Sequence, residues 1–410
     1  MSSKTNTTAA KEEAKPALVP KLRFPEFRGA EGWKQTRLDE SLDYQQPTPY
    51  LVADTKYSPA FKTPVLTAGK TFILGYTDEQ HGIFSEGLPV IIFDDFTTAT
   101  QFVDFPFKAK SSAMKILQAK NGTDIKFMYE TLQTISYEVG AHERHWISNF
   151  APMLVPVPKP AEQQKIAECL SSVDALLAAQ ARKVDALKTH KKGLMQQIFP
   201  TEGEAQPRLR FPEFQNAGEW EDQTVGDFGK LVTGNTPSTA QPAFYGGGIP
   251  FVSPADISDL RFVDQTKTTL TPEGYAETRP IRAGSVLFVC IGSTIGKVAQ
   301  NVYDCATNQQ INTVIPGPKH SDGFVYFALS YASERIALLA GRQAVPIINK
   351  SLFSSVRLLV PKLPEQERIA SCLSSLDDLI TLETQKLDAL NTHKKGLMQQ
   401  LFPSPELAEA

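Results

Sequence analysis

The stretch Lys159–Pro200, KPAEQQKIAECLSSVDALLAAQARKVDALKTHKKGLMQQIFP, returns 203 residues later as Lys362–Pro403, KLPEQERIASCLSSLDDLITLETQKLDALNTHKKGLMQQLFP. About 26 of the 42 aligned positions are identical. Its apolar residues fix what it is. Ile166, Leu170, Val173 and Leu177 lead through Gln180 to Val184, Leu187, Lys191, Leu194 and Ile198, in alternating steps of four and three. The second copy runs Ile369, Leu373, Leu376, Ile380, Glu383, Leu387, Leu390, Lys394, Leu397, Leu401. A seam held over five heptads predicts a long helix that must cover its stripe against another helix. Pro160 and Pro364 mark the first turns, with Glu162 and Glu365 at the positive helix ends. Phe199-Pro200 and Phe402-Pro403 supply the stops. Each helix is expected to have about 37 residues and a length of roughly 55 Å.

The natural partner of each helix is the other copy. Parallel pairing sets Lys191 beside Lys394 in the seam. Antiparallel pairing carries Lys191 towards Glu383 and Lys394 towards Gln180, so the antiparallel arrangement is expected. Gly193 and Gly396 are costly in a helix interior and suggest a kink or a close approach by another chain. The recurring runs His190-Lys191-Lys192 and His393-Lys394-Lys395 suggest contact with a duplicated partner; a merely solvated face is the plain alternative.

A second echo lies upstream. Leu22-Arg23-Phe24-Pro25-Glu26-Phe27 returns as Leu209-Arg210-Phe211-Pro212-Glu213-Phe214, followed by Trp33 and Trp220 respectively. Each copy is therefore an entry motif, a variable middle and a near-identical ending. The middles, 34–157 and 221–360, share little obvious similarity. Drift after duplication erodes all parts alike, whereas here the ends are kept and the middles are not. That pattern fits a shared frame that displays two different readers.

Both middles carry β-type runs and one helix each. Val90–Phe93 and Ala113–Leu117 are expected strands in the first, with a helix over Lys126–Ile135. Ser285–Ile291, Ile311–Ile315 and Leu358–Val360 are expected strands in the second, with a helix near Phe324–Leu339. Loops rich in Gly, Pro, Ser and Thr lie between them, as at Thr233–Ser238 and Tyr245–Gly248.

Composition narrows the class. The chain has 410 residues, of which 41% are hydrophobic and 21% charged, which excludes disorder throughout. No apolar run approaches the ~18 residues of a membrane span. Residues 1–20 read as a flexible tail without a signal-peptide core. Cys169, Cys290, Cys305 and Cys372 form no CxxC pair, as expected of reduced thiols in a cytosolic protein. A net charge of -3 excludes a protein that binds nucleic acid through bulk charge alone.

Catalytic patterns fail on spacing. Gly292-Ser293-Thr294-Ile295-Gly296-Lys297-Val298 has three residues between its glycines where a phosphate loop needs four, and no Ser or Thr after the Lys. It reads as a tight turn between strands. His142-Glu143-Arg144-His145 is not HExxH, and Asp94-Asp95 has no third carboxylate at a telling distance, so loop contacts are the expected role. There is no GxSxG and no Asn-Pro-Pro-aromatic motif.

DNA-reading residue types are denser. Arg, Lys, Asn and Gln read bases, while Ser, Thr and amides hold phosphates. The first middle offers Thr97, Thr98, Lys108, Lys110, Ser111, Ser112, Lys115 and Arg144 within His142–Trp146. The second offers Ser293, Thr294, Lys297, Asn308, Gln309, Gln310, Arg342, Gln343, Asn349 and Lys350.

The chain resembles the specificity subunits of type I restriction–modification enzymes over nearly its whole length. In the second copy the matching residues include Gly234, Thr236-Pro237-Ser238, Tyr245-Gly246-Gly247, Ile249-Pro250-Phe251, Thr294–Lys297, Asn308-Gln309, and Pro364-Glu365-Gln366 running into Ile369-Ala370. In the first they are Pro64–Lys70, Ile92–Thr98 and Lys110–Lys115. The resemblance adds Lys70, Thr236, Ser238 and Tyr245 to the candidate DNA contacts. It implies an α+β chain with a pseudo-twofold repeat, in which two mixed α/β target-recognition domains are separated by two long antiparallel helices. The expected order is a tail (1–20), a first recognition domain (21–157), a central helix (158–200), a second recognition domain (201–360), a C-terminal helix (361–403) and a tail (404–410). It implies double-stranded DNA as ligand, each domain reading half of a split, asymmetric site. Two modification subunits would dock on the helices and methylate adenine with S-adenosylmethionine; restriction subunits would add ATP- and Mg-dependent translocation and cleavage. The chain itself would hold no cofactor or metal, perform no catalysis, and work in the bacterial cytoplasm, at the nucleoid when on DNA. Lacking the Gly-Thr-Pro-Ser loop and the Tyr-Gly-Gly run, the first middle would read a different sequence from the second. Two other readings compete: a duplicated coiled-coil scaffold whose domains bind proteins, and an enzyme whose turnover depends on Asp94 or Asp95.

Overall fold

The computed structural model describes residues 18–69, 71–139, 144–341 and 345–403. The chain divides into two compact units. One holds the described residues of 1–180 and 386–410, the other residues 181–385.

In the first unit β1 (Lys34–Arg37) is followed by the single turn α1 (Leu38–Ser41) and β2 (Leu42–Gln45). Then come β3 (Thr63–Leu66), β4 (Ile73–Thr77), β5 (Val90–Asp94), β6 (Thr100–Val103), β7 (Lys108–Ala109) and β8 (Met114–Ala119). Helix α2 (Ile125–Thr134) and β9 (Leu154–Val157) complete the domain. The strands form a four-stranded sheet in the order β2-β8-β5-β6, a three-stranded sheet β4-β3-β7 and the pair β1-β9. Strand β5 is apolar from Val90 to Phe93 because both its faces are covered there. Ile91 and Phe93 pack with Phe127, Met128 and Trp146, and Val90 and Ile92 with Leu66, Phe107 and Ile116. Asp124 caps α2 by accepting from the Phe127 amide.

Helix α3 (Pro160–Ile198) then runs on into the second unit. That unit begins with β10 (Glu221–Thr224), β11 (Gly229–Thr233), β12 (Tyr245–Val252), β13 (Phe262–Val263) and β14 (Thr268–Leu270). It continues with the short α4 (Pro272–Ala276), β15 (Val286–Val289), β16 (Val298–Asn301), β17 (Ala306–Thr307), β18 (Ile311–Pro316), α5 (Asp322–Ala337), α6 (Lys350–Ser355), β19 (Arg357–Val360) and α7 (Leu363–Leu401). Its sheets are β11-β18-β15-β16-β13, β14-β12-β17 and β10-β19. Strand for strand, β11, β18, β15 and β16 repeat β2, β8, β5 and β6. Likewise β12, β14 and β17 repeat β3, β4 and β7, down to the parallel pairing of β12 with β17 and of β3 with β7. The two middles, so unlike in sequence, are one fold. All the expected strands and helices are present within a residue or three of their predicted bounds.

Both long helices have 39 residues, or about 58 Å at the α-helical rise. Each unit pairs the start of one with the end of the other, antiparallel as expected. In the first, Ile166 and Leu170 share a core with Leu397 and Leu401, and Asp174 meets Lys394 at 2.7 Å. In the second, Ile369 and Leu373 share a core with Leu194 and Ile198, and Lys191 meets Asp377. The polar partners differ from those expected. Glu383 is paired with Lys183 at 3.1 Å and Lys191 with Asp377, while Lys394 takes Asp174 and Glu130. Gly193 and Gly396 have no neighbour where a Cβ would stand, and both helices run unbroken through them.

The repeated ends explain each other. Arg23 forks onto Glu162 with two hydrogen bonds of 2.7 Å, and the Trp33 indole donates to the same carboxylate. Arg210 and Trp220 treat Glu365 the same way. The glutamine after each Glu staples the domain's helix. Gln163 accepts from the Asp124 amide and Gln366 from the Ser321 amide, and these two residues are the caps of α2 and α5. The Glu-Gln dipeptide thus ties the entry motif and the domain's own helix to the start of the long helix in both copies.

Candidate nucleic-acid interface

In each domain the loops at one end of the main sheet are stitched together. In the second domain these are 234–238 after β11, 290–297 between β15 and β16, 308–310 before β18, and 345–349. Gly234 donates to Ile311, Cys290 to Gln310, Gly292 to Pro346, and Ile348 to Cys290. The Thr236 hydroxyl donates to Gln309 at 2.9 Å. Gly234 allows this closeness: a Cβ there would stand 2.2 Å from the Thr307 carbonyl oxygen. Thr236, Ser238, Ser293, Gln309, Asn349 and Lys350 are exposed, and Thr294, Lys297 and Asn308 half-buried. The sequence-derived candidates of this domain therefore gather on one loop cluster. Three of them also serve the fold: Lys297 donates to the Ile257 carbonyl at 2.8 Å, Asn349 caps α6, and the Tyr245 hydroxyl donates to the Pro237 carbonyl. Arg342 and Gln343 lie outside the described residues.

In the first domain the corresponding loops are 46 onward after β2, 95–99 between β5 and β6, 110–113 before β8, and 144–150. Asp95 donates to Ala113, His145 to Asp95, and Lys110 to Leu66. Thr97, Ser111, Ser112 and Arg144 are exposed, with Thr98 and Lys110 half-buried. Lys70, His142 and Glu143 lie outside the described residues. Two candidates are corrected. Lys108 is 3% exposed, paired with Glu79 at 2.8 Å and donating to the His81 carbonyl. Lys115 is 1% exposed and paired with Asp95 at 2.9 Å. Long apolar stems let both ammonium groups turn inward to carboxylates, so neither offers charge to a ligand. Asp94 takes up its expected loop role by accepting from the Phe96 and Thr97 amides.

On the helices, His190, Lys192, His393 and Lys395 are exposed. Lys191 and Lys394 turn into the seam and form the ion pairs described above, so these two are corrected from partner contacts to helix–helix contacts. Among the described residues no group of His, Cys, Asp and Glu could hold a metal ion, and no helix is long and apolar enough to cross a membrane.

What sequence reasoning missed are residues that work in pairs distant along the chain: Glu162 and Glu365 as clamps, Gln163 and Gln366 as staples, Asp95 with Lys115. For the clamps and staples the sequence signal was the repetition of Pro/Ala-Glu-Gln beside an equally repeated Arg and Trp, whereas Asp95 and Lys115 are not repeated in the second copy.

Residues 217–392 match the family model described as the type I restriction modification DNA specificity domain. The chain is 37% identical over 371 residues to the EcoR124I/EcoR124II specificity subunit of Escherichia coli, covering 85% of this chain and 88% of that one. It is 25% identical over 360 residues to the HindI specificity subunit of Haemophilus influenzae, covering 83% and 76%. The S subunit of a type I restriction-modification system from M. genitalium shares the fold, with a TM-score of 0.64 at 16% identity, over 94% of this chain and 99% of that one. With the duplicated helices, the twin domains and a relative of this identity along most of its length, the chain belongs to the type I restriction enzyme specificity subunits.

Proposed function

We propose that this chain is the sequence-reading, non-catalytic subunit of a DNA methylation and restriction complex. Each domain reads one half of a split, asymmetric duplex site through its loop cluster. The observation that carries this is the reuse of one fold, clamped to one helical frame, with unrelated loop residues in its two copies. A scaffold has no need of two different loop sets on one architecture, whereas an asymmetric DNA site requires them.

The long helices receive two copies of one modification subunit. Leu176 is 58% exposed, and its repeat equivalent Leu379, beside Leu382, is exposed too. Together with His190, Lys192, His393 and Lys395 they form two matching sets of surface residues. S-adenosylmethionine and the adenine-N6 transfer belong to those partners; ATP, Mg and cleavage belong to restriction subunits. The complex works in the bacterial cytoplasm.

The test is co-expression with the neighbouring methyltransferase subunit in a methylation-free host, with N6-methyladenine mapped by single-molecule sequencing. A split motif methylated once per half, on opposite strands, is the expected outcome. Replacing residues 34–157 changes one half only. A stable co-purified complex without methylation favours the scaffold instead.

A further inference from the structure

We propose that the buried Lys115–Asp95 pair, with the exposed Gln46 that Lys115 also reaches, is the positioning device that sets what the first domain reads, and that Thr98 is the strained residue it holds in place. The inference rests on the DNA-reading function proposed above and adds the residues that tune one half-site.

Asp95 and Lys115 are each 1% exposed. Their contacts reach every loop of the first domain's cluster. The Asp95 Oδ1 accepts from the Trp146 amide at 2.9 Å. Its backbone donates to Ala113 and accepts from His145. Lys115 donates to Gln46 Oε1 at 3.3 Å and lies 5.8 Å from the centre of the Tyr44 ring. So loops 95–99, 110–113 and 144–150 and the end of β2 share one charged floor.

The second domain shows that the fold does not need that charge. There Phe288 faces Asn312 in the register where Phe93 faces Lys115. Cys290 repeats the backbone bonds of Asp95: it donates to Gln310 and accepts from Ile348. Asn312 lies next to Cys290 and partly offsets the rise that burial imposes on its thiol, and it accepts from the Thr233 hydroxyl at 2.6 Å. Thr233–Asn312–Cys290 thus occupies, position for position, the place of Gln46–Lys115–Asp95, and it is neutral. A buried ion pair is costly to desolvate and is often replaceable by uncharged residues without loss of stability. Its use in one twin only points to loop geometry and not to folding.

The turn above it carries the same contrast. In the first domain Asp94 donates to Ala99 and accepts from Thr98; in the second Val289 donates to Lys297 and accepts from Gly296. Gly296 has φ +93°, and Thr98, its equivalent, has φ +58°. A β-branched residue in the left-handed region is strained, and such strain persists where the surroundings over-determine it. The twin closes the same turn with glycine, so the turn itself does not ask for the threonine side chain.

The experiment uses the full chain with its methyltransferase partner and the methylation map. The triple substitution Gln46→Thr, Lys115→Asn, Asp95→Cys installs the twin's neutral set; Thr98→Gly relieves the turn. Both are expected to raise methylation at sites altered in the first half at least tenfold relative to the cognate site, with fidelity at the second half unchanged. A merely structural role lowers methylation at cognate and altered sites alike and spares the ratio. Wild-type fidelity in both variants, or equal relaxation in both halves, overturns the inference. If the triple variant does not fold, Thr98→Gly decides alone. A wild-type complex that yields no split motif sinks the proposed function, a result distinct from a failure of this inference.

Discussion

Glu365 accepts two hydrogen bonds of 2.7 Å from Arg210 and a third, at 3.4 Å, from the Trp220 indole. The carboxylate's hydrogen bonds and charge push the Arg210 guanidinium above its ordinary value, against the opposing effect of burial. Both side chains are nearly inaccessible. Glu365→Gln keeps the shape and leaves a buried cation without its counter-charge, a loss of about 3–5 kcal/mol. Glu162→Gln is expected to cost the same, through Arg23. Urea midpoints of the two variants measure this, and a shift under about 1 kcal/mol in both would refute the clamp. The thiols give a second check. Burial raises Cys290 to about 11 and Cys305 to about 12, whereas Cys169 and Cys372 are half-buried on the long helices. Since the thiolate is the reactive form, a disulfide reagent at pH 8 should modify two thiols in the native chain and four in urea. The sequence displayed every partner in these clamps but not the pairing. Arg23 and Glu162 stand 139 residues apart, and repetition marks both as retained without saying that they touch.

At the scale of the element, the seam of the long helices was legible because a period of 3.5 leaves one stripe apolar whatever covers it. The register was not. Heptad positions suggested Glu383 as the partner of Lys191, yet Asp377 holds that place, because a lysine's reach and the neighbouring domain both enter the choice. Lys394 is drawn by Glu130 of α2 as well as by Asp174, and Lys126 joins them at 2.7 Å from each carboxylate. Burial alone would raise the Asp174 carboxyl. The hydrogen bonds and charges of Lys126 and Lys394 outweigh it and hold the group below the usual carboxylate range. A depressed carboxyl stabilises the fold above its unfolded value, near 3.9, and loses that contribution as pH falls through the lowered folded value. Asp174→Asn is therefore expected to lower the melting temperature at pH 7 and to flatten its fall below about pH 4. Equal slopes for variant and wild type over that range would show that the Asp174 ion pairs with Lys126 and Lys394 do not stabilise the fold. Lys191→Asp and Asp377→Lys should each destabilise the second unit, and the double substitution should recover most of the loss. The domains were legible as strands and a helix each, but not as the same fold. Strand order is set by which apolar runs bury both faces, as β5 and β15 do, and loops of different length hide that order in one dimension.

For the whole molecule, the decisive quantity is how little charge the candidate loops offer to DNA. The chain carries a net charge of -3. Of the basic candidate contacts, Lys108 and Lys115 are neutralised inside the first domain, and Lys297 is held by a backbone carbonyl. Lys110, Arg144 and Lys350 remain at the surface, with Lys70 and Arg342 outside the described residues. Each neutralised phosphate contributes about -0.9 to the slope of log affinity against log salt. Three to five such contacts give a slope between roughly -3 and -4.5, a loss of about 40- to 500-fold between 50 and 200 mM salt. With only these proposed contacts to hold phosphates, the isolated chain is expected to bind DNA weakly. The assembled complex, with the partners' own phosphate contacts, should bind far more tightly and with a steeper slope. Titrating a labelled duplex that carries the methylated motif with chain alone and with complex, across this salt range, measures both slopes. A tight, sequence-specific footprint by the chain alone, or equal slopes for chain and complex, would mean that these loops hold the DNA unaided and that the partners' contribution is catalytic only.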